Sequence, residues 1–373
     1  MKRLKIAIIL GTRPEAIKCF SIIKELQKYP EQFQPIIIST GQHKELIQQV
    51  FDDLDFKPDQ DFNVMEVNQS LGNLTNKLLP RLISYFTEKK PDMVLVEGDT
   101  TSAFLGALAG YYAKVRVAHI EAGLRTHLPF NPFPEEMNRV CIADLAGYHF
   151  APTIIAKQNL LQENIPENQI FITGNPIIDV LEYMMKQGKV RMTKEFQEDI
   201  KDRVFFLVTI HRRENFGEPM QNIRLALEKI ADTSKRFHII FPLHPNPNVQ
   251  KVFKDFGEGV SNIHVLAPLS YSEFLCYMKM SFLILTDSGG LVEEASYFGK
   301  PVLILREVTE RPESINAGIA RIIGTQASQV YNVALHYYTC QSDYRKMAVE
   351  HRYLYGDGEA AQKIVKLLPE LCQ

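Results

Sequence analysis

Residues 94–139 read VLVEGDTTSAFLGALAGYYAKVRVAHIEAGLRTHLPFNPFPEEMNR. Two valine-rich runs, 94–96 and 115–118, stop abruptly at polar residues. Glu97-Gly98-Asp99-Thr100-Thr101 follows the first, and His119-Ile120-Glu121-Ala122-Gly123-Leu124-Arg125 follows the second. Short apolar runs separated by a helical stretch, here 102–112, are the rhythm of a parallel sheet with helices on both faces. Ligands of such sheets bind outside the carboxyl ends of the strands. Acids at those ends are therefore candidates for chemistry. A third acidic pair, Glu135-Glu136, follows a loop punctuated by Pro129, Pro132 and Pro134, and opens a helical pattern carrying Asn138 and Arg139. Carboxylates converging near Arg125 and Arg139 suggest an acid/base site.

The same rhythm extends in both directions. Upstream, the apolar run 4–10 breaks at Gly11-Thr12-Arg13-Pro14-Glu15, and Pro14 suits the first turn of a helix over 15–27. Strand, glycine turn and helix N-terminus together receive anions, because the first backbone N–H groups of a helix lack intrahelical partners. Arg13 adds a planar donor fork and Lys18 a point charge one turn on. The dinucleotide pattern GxGxxG is absent, so NAD is not indicated. A strand is expected over 34–39, with a helix starting near Gly41-Gln42-His43, and another helix over 71–86. Strands at 148–151 and 170–173 flank a helix over 154–163.

The length of 373 residues favours two domains, since single cores stop growing at about 250–300 residues. The stretch 186–202 is charged and lacks a long apolar face, which places the boundary upstream, near Gly174. The expected domains are 1–173, joined by a C-terminal helix in 356–373, and 174–355. The second begins with a strand over 204–210 ending in His211-Arg212-Arg213-Glu214-Asn215, and continues with strands at 238–243, 263–266, 282–285 and 302–305. Ser288-Gly289-Gly290 lies between a strand and a helix, where small residues let backbone N–H groups approach a phosphate. Glu293 and Glu294 follow in that helix; one is a natural acceptor for ribose hydroxyls and the other complements the helix dipole. His211 stands at a strand end beside two arginines and an acid, a setting for phosphate binding or proton transfer.

With 45% hydrophobic and 23% charged residues the composition is that of a globular protein, and a net charge of −2 supplies no electrostatic reason for a nucleic-acid or anionic-membrane partner. No apolar run approaches the ~20 residues needed to span a bilayer. The five cysteines form no CxxC pair and read as reduced thiols. Met1-Lys2-Arg3 runs into a strand too short for a leader, and the expected location is the cytoplasm. From residues alone, the chain is an enzyme acting on a phosphorylated, hydroxyl-rich ligand of nucleotide-linked type.

Seven motifs in order now resemble one family: Gly11-Thr12-Arg13-Pro14-Glu15-Ala16-Ile17-Lys18, Gly98-Asp99-Thr100-Thr101, His119-Ile120-Glu121-Ala122-Gly123-Leu124-Arg125, Pro134-Glu135-Glu136-Met137-Asn138-Arg139, His211-Arg212-Arg213-Glu214-Asn215, Thr286-Asp287-Ser288-Gly289-Gly290 and Thr309-Glu310-Arg311-Pro312-Glu313. Together they resemble the bacterial non-hydrolysing UDP-N-acetylglucosamine 2-epimerases over nearly the full chain. The resemblance implies a glycosyltransferase-B-like α/β fold, two Rossmann-like doubly wound domains with an interdomain active-site cleft. It implies reversible conversion of UDP-GlcNAc to UDP-ManNAc by anti-elimination of UDP to a 2-acetamidoglucal and re-addition. The product would feed surface polysaccharide biosynthesis. By family position Asp99, Glu121, Glu135 and His211 are the catalytic candidates; which acid serves which face of C2 stays open.

Arg13 and Lys18 would stabilise the diphosphate, Ser288, Gly289 and Gly290 would bind it, Glu294 would hold the ribose and Phe274 would pack near the uracil. Arg139 and Arg306 are further binding candidates. No metal or cofactor is expected, since no hydride is transferred, and a homodimer is implied. Gln42, Glu135 and His244 fit the pocket where UDP-GlcNAc activates many relatives. Glu97 stands where relatives commonly carry histidine, Pro176 where threonine is usual, and Glu45 and Asn68 where some carry glutamine and arginine. The alternatives are a UDP-2,3-diacetamido-uronic acid 2-epimerase, a hydrolysing UDP-GlcNAc 2-epimerase, a glycosyltransferase of the same fold, and a nucleotide-sugar-binding regulator without catalysis.

Overall fold

The computed structural model describes residues 3–42, 44–66, 69–190 and 202–373, so Asn68, the side chain of Glu45 and most of the charged stretch 186–202 lie outside the described residues. The chain divides into two compact units, 3–183 with 355–373, and 184–354.

The first unit alternates strand and helix as β1 (Leu4–Leu10), α1 (Arg13–Gln27), β2 (Phe33–Ser39), α2 (Lys44–Leu54), β3 (Gln60–Asp61), α3 (Leu71–Lys89), β4 (Met93–Glu97), α4 (Thr101–Tyr112), β5 (Arg116–Ile120), α5 (Glu135–Leu145), β6 (Tyr148–Ala151), α6 (Ile154–Gln162), β7 (Ile170–Ile172) and α7 (Pro176–Lys186). Its strands pair in parallel in the order β3-β2-β1-β4-β5-β6-β7. Strand order reverses between β1 and β4, so the crevice of a doubly wound sheet falls at their carboxyl ends. Those ends carry Gly11–Lys18 and Glu97–Asp99.

The strands read as continuous apolar runs because both faces are covered. Ala7, Ile9, Val94, Val96 and Val117 meet α3 and α4 on one face. Helix α4 shows little amphipathic patterning because it is buried nearly all round. Its glycines let it lie tightly on the sheet: a Cβ at Gly106 would come 2.9 Å from Ile9, and one at Gly110 would come 2.8 Å from Val117.

The second unit repeats the plan with β8 (Val204–Thr209), α8 (Glu218–Thr233), β9 (Phe237–Pro242), α9 (Pro247–Phe253), β10 (Ile263–Leu266), α10 (Tyr271–Met280), β11 (Leu283–Thr286), α11 (Leu291–Tyr297), β12 (Val302–Ile304), α12 (Pro312–Asn316), β13 (Ala320–Ile322), α13 (Ala327–Thr339) and α14 (Gln341–Met347). The parallel order is β10-β9-β8-β11-β12-β13, with its reversal between β8 and β11. Alternate residues serve opposite faces: Phe206, Val208, Leu283 and Leu285 join one core cluster, while Phe205, Leu207 and Ile284 join the other. The strand-end loops at this switch point are those of His211 and Asp287.

The boundary lies about ten residues beyond the expected one near Gly174. Helix α7 stays with the first unit because Tyr183 packs edge-on to Phe20, with centroids 5.0 Å apart. The Asp179 carboxylate also accepts from the N–H groups of Ala360 and Ala361, at 3.2 and 2.8 Å, at the start of α15 (Ala360–Leu371). The returning chain passes so close to α7 that Gly174 and Gly356 must both be glycine: a Cβ on either would sit 2.9 Å from the other's Cα. Helices α8 and α13 were not among the expected elements. In α8 the buried Met220, Ile223, Leu227 and Ile230 recur at helical spacing, so that signal is present in the sequence.

The loop after β5 depends on Gly123. Its φ is +90°, and an added Cβ would lie 2.2 Å from the carbonyl oxygen of Ala156. Backbone cannot yield as a side-chain tip can. Gly123→Ala is expected to lose about 3 kcal/mol of folding stability through φ strain and overpacking together. Urea denaturation measures it, and an unchanged midpoint would contradict this packing.

Candidate active site

In the first unit three strand-end loops are tied together by side chains of the acidic motifs. Glu15 lies in the first turn of α1 and is buried. Its Oε2 accepts from the N–H groups of Gly11 and Thr12, at 2.9 and 2.5 Å, and its Oε1 from the Thr100 hydroxyl at 2.7 Å. One carboxylate therefore shapes the glycine turn and fastens it to the loop after β4. Burial pushes this carboxyl up to about 7, against the lowering effect of its hydrogen bonds. Arg13 occupies the first helical position and is half-buried.

One turn further along α1, Lys18 is 6% exposed, and its ammonium meets Glu97 Oε1 at 2.9 Å and Glu121 Oε1 at 2.5 Å. Asn175 Nδ2 also donates to Glu121 Oε1, at 2.8 Å. The other oxygen, Oε2, lies beside Gly98, 3.5 Å from where a Cβ would stand there. Glu121 has φ +61°, a left-handed conformation rarely adopted by glutamate and a strain of about 1–3 kcal/mol. The Lys18 charge thus meets two buried carboxylates of the first unit.

Asp99 is anchored from α5. Arg139 Nε donates to its Oδ2 at 2.8 Å, and Asn138 Nδ2 donates to its backbone oxygen at 2.8 Å. Arg139 also holds Glu136, Nη1 to Oε2 at 2.6 Å, and Glu136 Oε1 accepts from the N–H groups of Thr126 and His127. Arg139 is 2% exposed, and its bond to Asp99 fixes that carboxylate. Glu135 begins the same helix and is half-buried. Asp99 thus comes from the loop after β4, and Glu121 and Glu135 from the two ends of the connection between β5 and α5. Gln42 accepts at Oε1 from the Ser102 hydroxyl at 2.7 Å. His119 donates to the Gly98 oxygen at 2.7 Å in the tautomer protonated at Nε2, and burial lowers its pKa to about 3, keeping it neutral.

In the second unit His211 is organised by Asp287, which is fully buried. The Asp287 carboxylate faces His211 Nδ1 at 3.2 Å. It also accepts from the N–H of His211 at 3.0 Å, that of Arg212 at 3.0 Å and Asn215 Nδ2 at 3.0 Å. Burial would raise the Asp287 pKa, but His211 and these donors together hold it below its ordinary value. An imidazole donating from Nδ1 keeps its lone pair at Nε2, the tautomer of a general base. The His244 ring stacks on His211 with centroids 5.4 Å apart.

The Ser288-Gly289-Gly290 turn rests on the Thr309-to-Glu313 motif. A Cβ at Gly289 would fall 2.1 Å from Glu310 Oε1, whereas one at Gly290 would meet nothing within 4 Å. Below the turn runs a buried chain of ion pairs: Arg306 to Glu310 at 3.0 Å, Arg311 to Glu310 at 2.7 Å and Arg311 to Glu293 at 2.7 Å. Glu293 is thus the structural member of the acidic pair. Arg306 is buried within this chain of ion pairs. Glu294 accepts from the Tyr271 hydroxyl at 2.7 Å, and Phe274 stands one helical turn along α10 from Tyr271.

The sequence profile of the UDP-N-acetylglucosamine 2-epimerase family matches residues 24–369. The chain belongs to this family. It is 42% identical over 369 residues to the UDP-N-acetylglucosamine 2-epimerase of Bacillus subtilis (strain 168), covering 99% of this chain and 96% of that protein. The Escherichia coli (strain K12) UDP-N-acetylglucosamine 2-epimerase is 40% identical, with 98% of each chain covered. Among solved structures, that of the Neisseria meningitidis UDP-GlcNAc 2-epimerase bound to UDP-GlcNAc matches with a TM-score of 0.93 at 39% identity, covering 98% of this chain and all of that one. The Methanocaldococcus jannaschii UDP-GlcNAc 2-epimerase, in complex with UDP-GlcNAc and UDP, matches with a TM-score of 0.83 at 34% identity, covering 98% and 100%. The two parallel-sheet units are those of this family's glycosyltransferase-B-like fold class. Among the described residues no helix is long and apolar enough to cross a membrane.

Sequence reasoning singled out the epimerase motifs but missed Glu15, Asn175, Glu136 and Asp287 as organisers. Asp287 had a readable signal, an acid directly after a buried strand like Asp99. Asn175 had little beyond its place between a glycine and a proline.

Proposed function

We propose that the enzyme reversibly inverts C2 of UDP-GlcNAc, giving UDP-ManNAc, by anti-elimination of UDP to 2-acetamidoglucal and re-addition from the opposite face. What carries this reading is the strained, doubly anchored Glu121 carboxylate and the Arg139-held Asp99, at the ends of adjacent strands in a chain of the epimerase family. A C2–H is a weak acid, so its removal needs a positioned base and a stabilised leaving group. Asp99, Glu121 and Glu135 supply the acid/base groups of the first unit. His211, oriented by Asp287, supplies that of the second. Arg13 and the Ser288-Gly289-Gly290 turn bind the diphosphate, Glu294 the ribose, and Phe274 packs near the uracil. Gln42 and His244 belong to a UDP-GlcNAc regulatory pocket. The chemistry needs no hydride carrier. The same reading makes the enzyme a cytoplasmic homodimer whose product supplies surface polysaccharide.

Proton NMR of purified protein with UDP-GlcNAc in deuterated water tests the reading. The expected result is UDP-ManNAc with deuterium at C2. Free ManNAc accumulating with UDP would place the protein with hydrolysing enzymes, and an unchanged spectrum would refute catalysis on this substrate.

A further inference from the structure

Three side chains of metal-binding type that the epimerase reading leaves unused meet on the surface of the second unit. His336 lies in the last turn of α13, Cys340 forms the joint between α13 and α14, and Asp343 lies in the first turn of α14. His336 Nε2 is 3.0 Å from Asp343 Oδ2, and one ligand atom from each of the three residues falls within 4.8 Å of the others. Spacings of four and three residues bring them to one side of the chain. The joint is fixed by its own backbone. The Cys340 N–H donates to the His336 oxygen at 2.7 Å, and the Cys340 oxygen accepts from the N–H groups of Asp343 and Tyr344, each at 3.1 Å.

Both helices are anchored to the core beneath. Val330, Ala334 and Tyr337 of α13 belong to the core cluster, and in α14 the Tyr344 ring stacks on Phe282 with centroids 4.2 Å apart. A site carried on packed helices holds its ligands more precisely than one on a loop.

We propose that His336, Cys340 and Asp343 form a binding site for a borderline-soft divalent cation, zinc in the first place, which clips α13 to α14. The donor set decides the class of ion. A thiolate and an imidazole suit zinc, whereas magnesium and calcium take oxygen ligands. Two ligands held at about 2.0–2.1 Å from a tetrahedral zinc stand roughly 3.3 Å apart, close to the His336–Asp343 separation. The Cys340 sulfur closes the third side, and water takes the fourth position. On binding, the Cys340 S–H bond breaks, its proton passes to water, and the sulfur bonds the metal. The imidazole stays neutral, its proton resting on Nδ1 while Nε2 bonds the metal. Thiolate and carboxylate together balance the charge of the divalent ion. Ser342 Oγ, 3.3 Å from the sulfur, is placed to donate to the thiolate. Lys346 Nζ meets the other carboxylate oxygen, Oδ1, at 3.0 Å and leaves Oδ2 to the metal.

Cobalt(II) titrated into the chelator-treated full-length protein is the direct probe, since a cobalt–thiolate bond gives a charge-transfer absorption that oxygen and nitrogen ligands do not. About one equivalent per chain is expected to complete that band, and added zinc to abolish it. Cys340→Ser is expected to lose the band and Cys276→Ser to keep it. No band in wild-type protein, or one that survives in Cys340→Ser, would overturn the proposal. Calorimetry with zinc supplies the second arm. Loss of an outer partner of a metal ligand already costs about 10–100-fold in affinity, so His336→Ala and Asp343→Ala are each expected to weaken binding by about a hundredfold. Wild-type affinity in both variants would refute the site. All three residues are at least partly exposed, so these variants are expected to fold, and the wild-type spectrum decides by itself if one does not. Zinc should also raise the urea midpoint of the wild-type protein but not of Cys340→Ser, as a ligand of the folded state does. None of these readouts requires epimerase activity, so the metal site and the functional reading fail separately.

Discussion

Lys18→Met is expected to lose about 3–5 kcal/mol of folding stability at mildly alkaline pH, the penalty for removing one partner of a buried ion pair. The methionine fills similar space but leaves Glu97 and Glu121 without their shared cation. The effect has a definite pH sign. Glu97 already lies above its ordinary value of 4.5 in the folded protein, so the fold binds its proton more tightly than the unfolded chain does. The stability this contributes is fully present below 4.5 and is lost as pH rises through the folded value. Without Lys18 the folded value climbs further, because its lowering influence is gone. The deficit of the variant should therefore be smallest in acid and widen with pH. Urea denaturation of both proteins at acid and alkaline pH reads this directly. Equal midpoints at alkaline pH would show that Lys18 does not neutralise the buried acids.

Asp287→Asn is expected to cost the proposed epimerase about 10²–10⁴ in kcat, the scale seen when an orienting aspartate is made neutral. The carboxylate is met on one side by Arg212 N–H and Asn215 Nδ2 and on the other by His211 Nδ1. An asparagine must turn its oxygen to the two fixed donors. Its NH₂ then faces Nδ1 as a donor, which moves the imidazole proton to Nε2 and removes the lone pair there. Asp287 also has the opposite pH sign to Glu97. Its folded pKa lies below the ordinary 3.8, so its contribution to stability is present above that value and lost as pH falls through the folded one. The variant should lack that acid-side loss. Nitrogen-15 NMR of the histidine rings identifies the tautomer, and wild-type kcat with an unchanged tautomer would rule out the orienting role.

Glu97 marks the limit of sequence reasoning most sharply. As a residue following a valine run, it looks like its neighbour Asp99, another acid at a strand end. In the fold it is 1% exposed and bound to a lysine 79 residues away, while the Asp99 side chain is 23% exposed and held by Arg139, 40 residues away. Lys18 is expected from the sequence to stabilise a diphosphate, and Arg139 is a further binding candidate. Both meet protein carboxylates in the fold, and nothing local in the sequence announces a contact with so distant an acid.

The strands, the helices between them and the switch-point loops were legible because their signals are local. A buried parallel strand is a short apolar run, an abrupt polar stop marks its end, and a glycine or proline turns the chain into the next helix. The sequence by itself therefore determined the doubly wound plan, the two units and which loops bear the chemistry. Tertiary structure alone decided which charges are available and which are committed. Glu15 reaches Thr100 across 85 residues, Lys18 reaches Glu121 across 103, and Asp287 reaches His211 across 76. Those pairings follow from strand order and burial, and the electrostatic strength of a pair depends on the solvent excluded around it. Neither quantity is written in any short stretch of the chain.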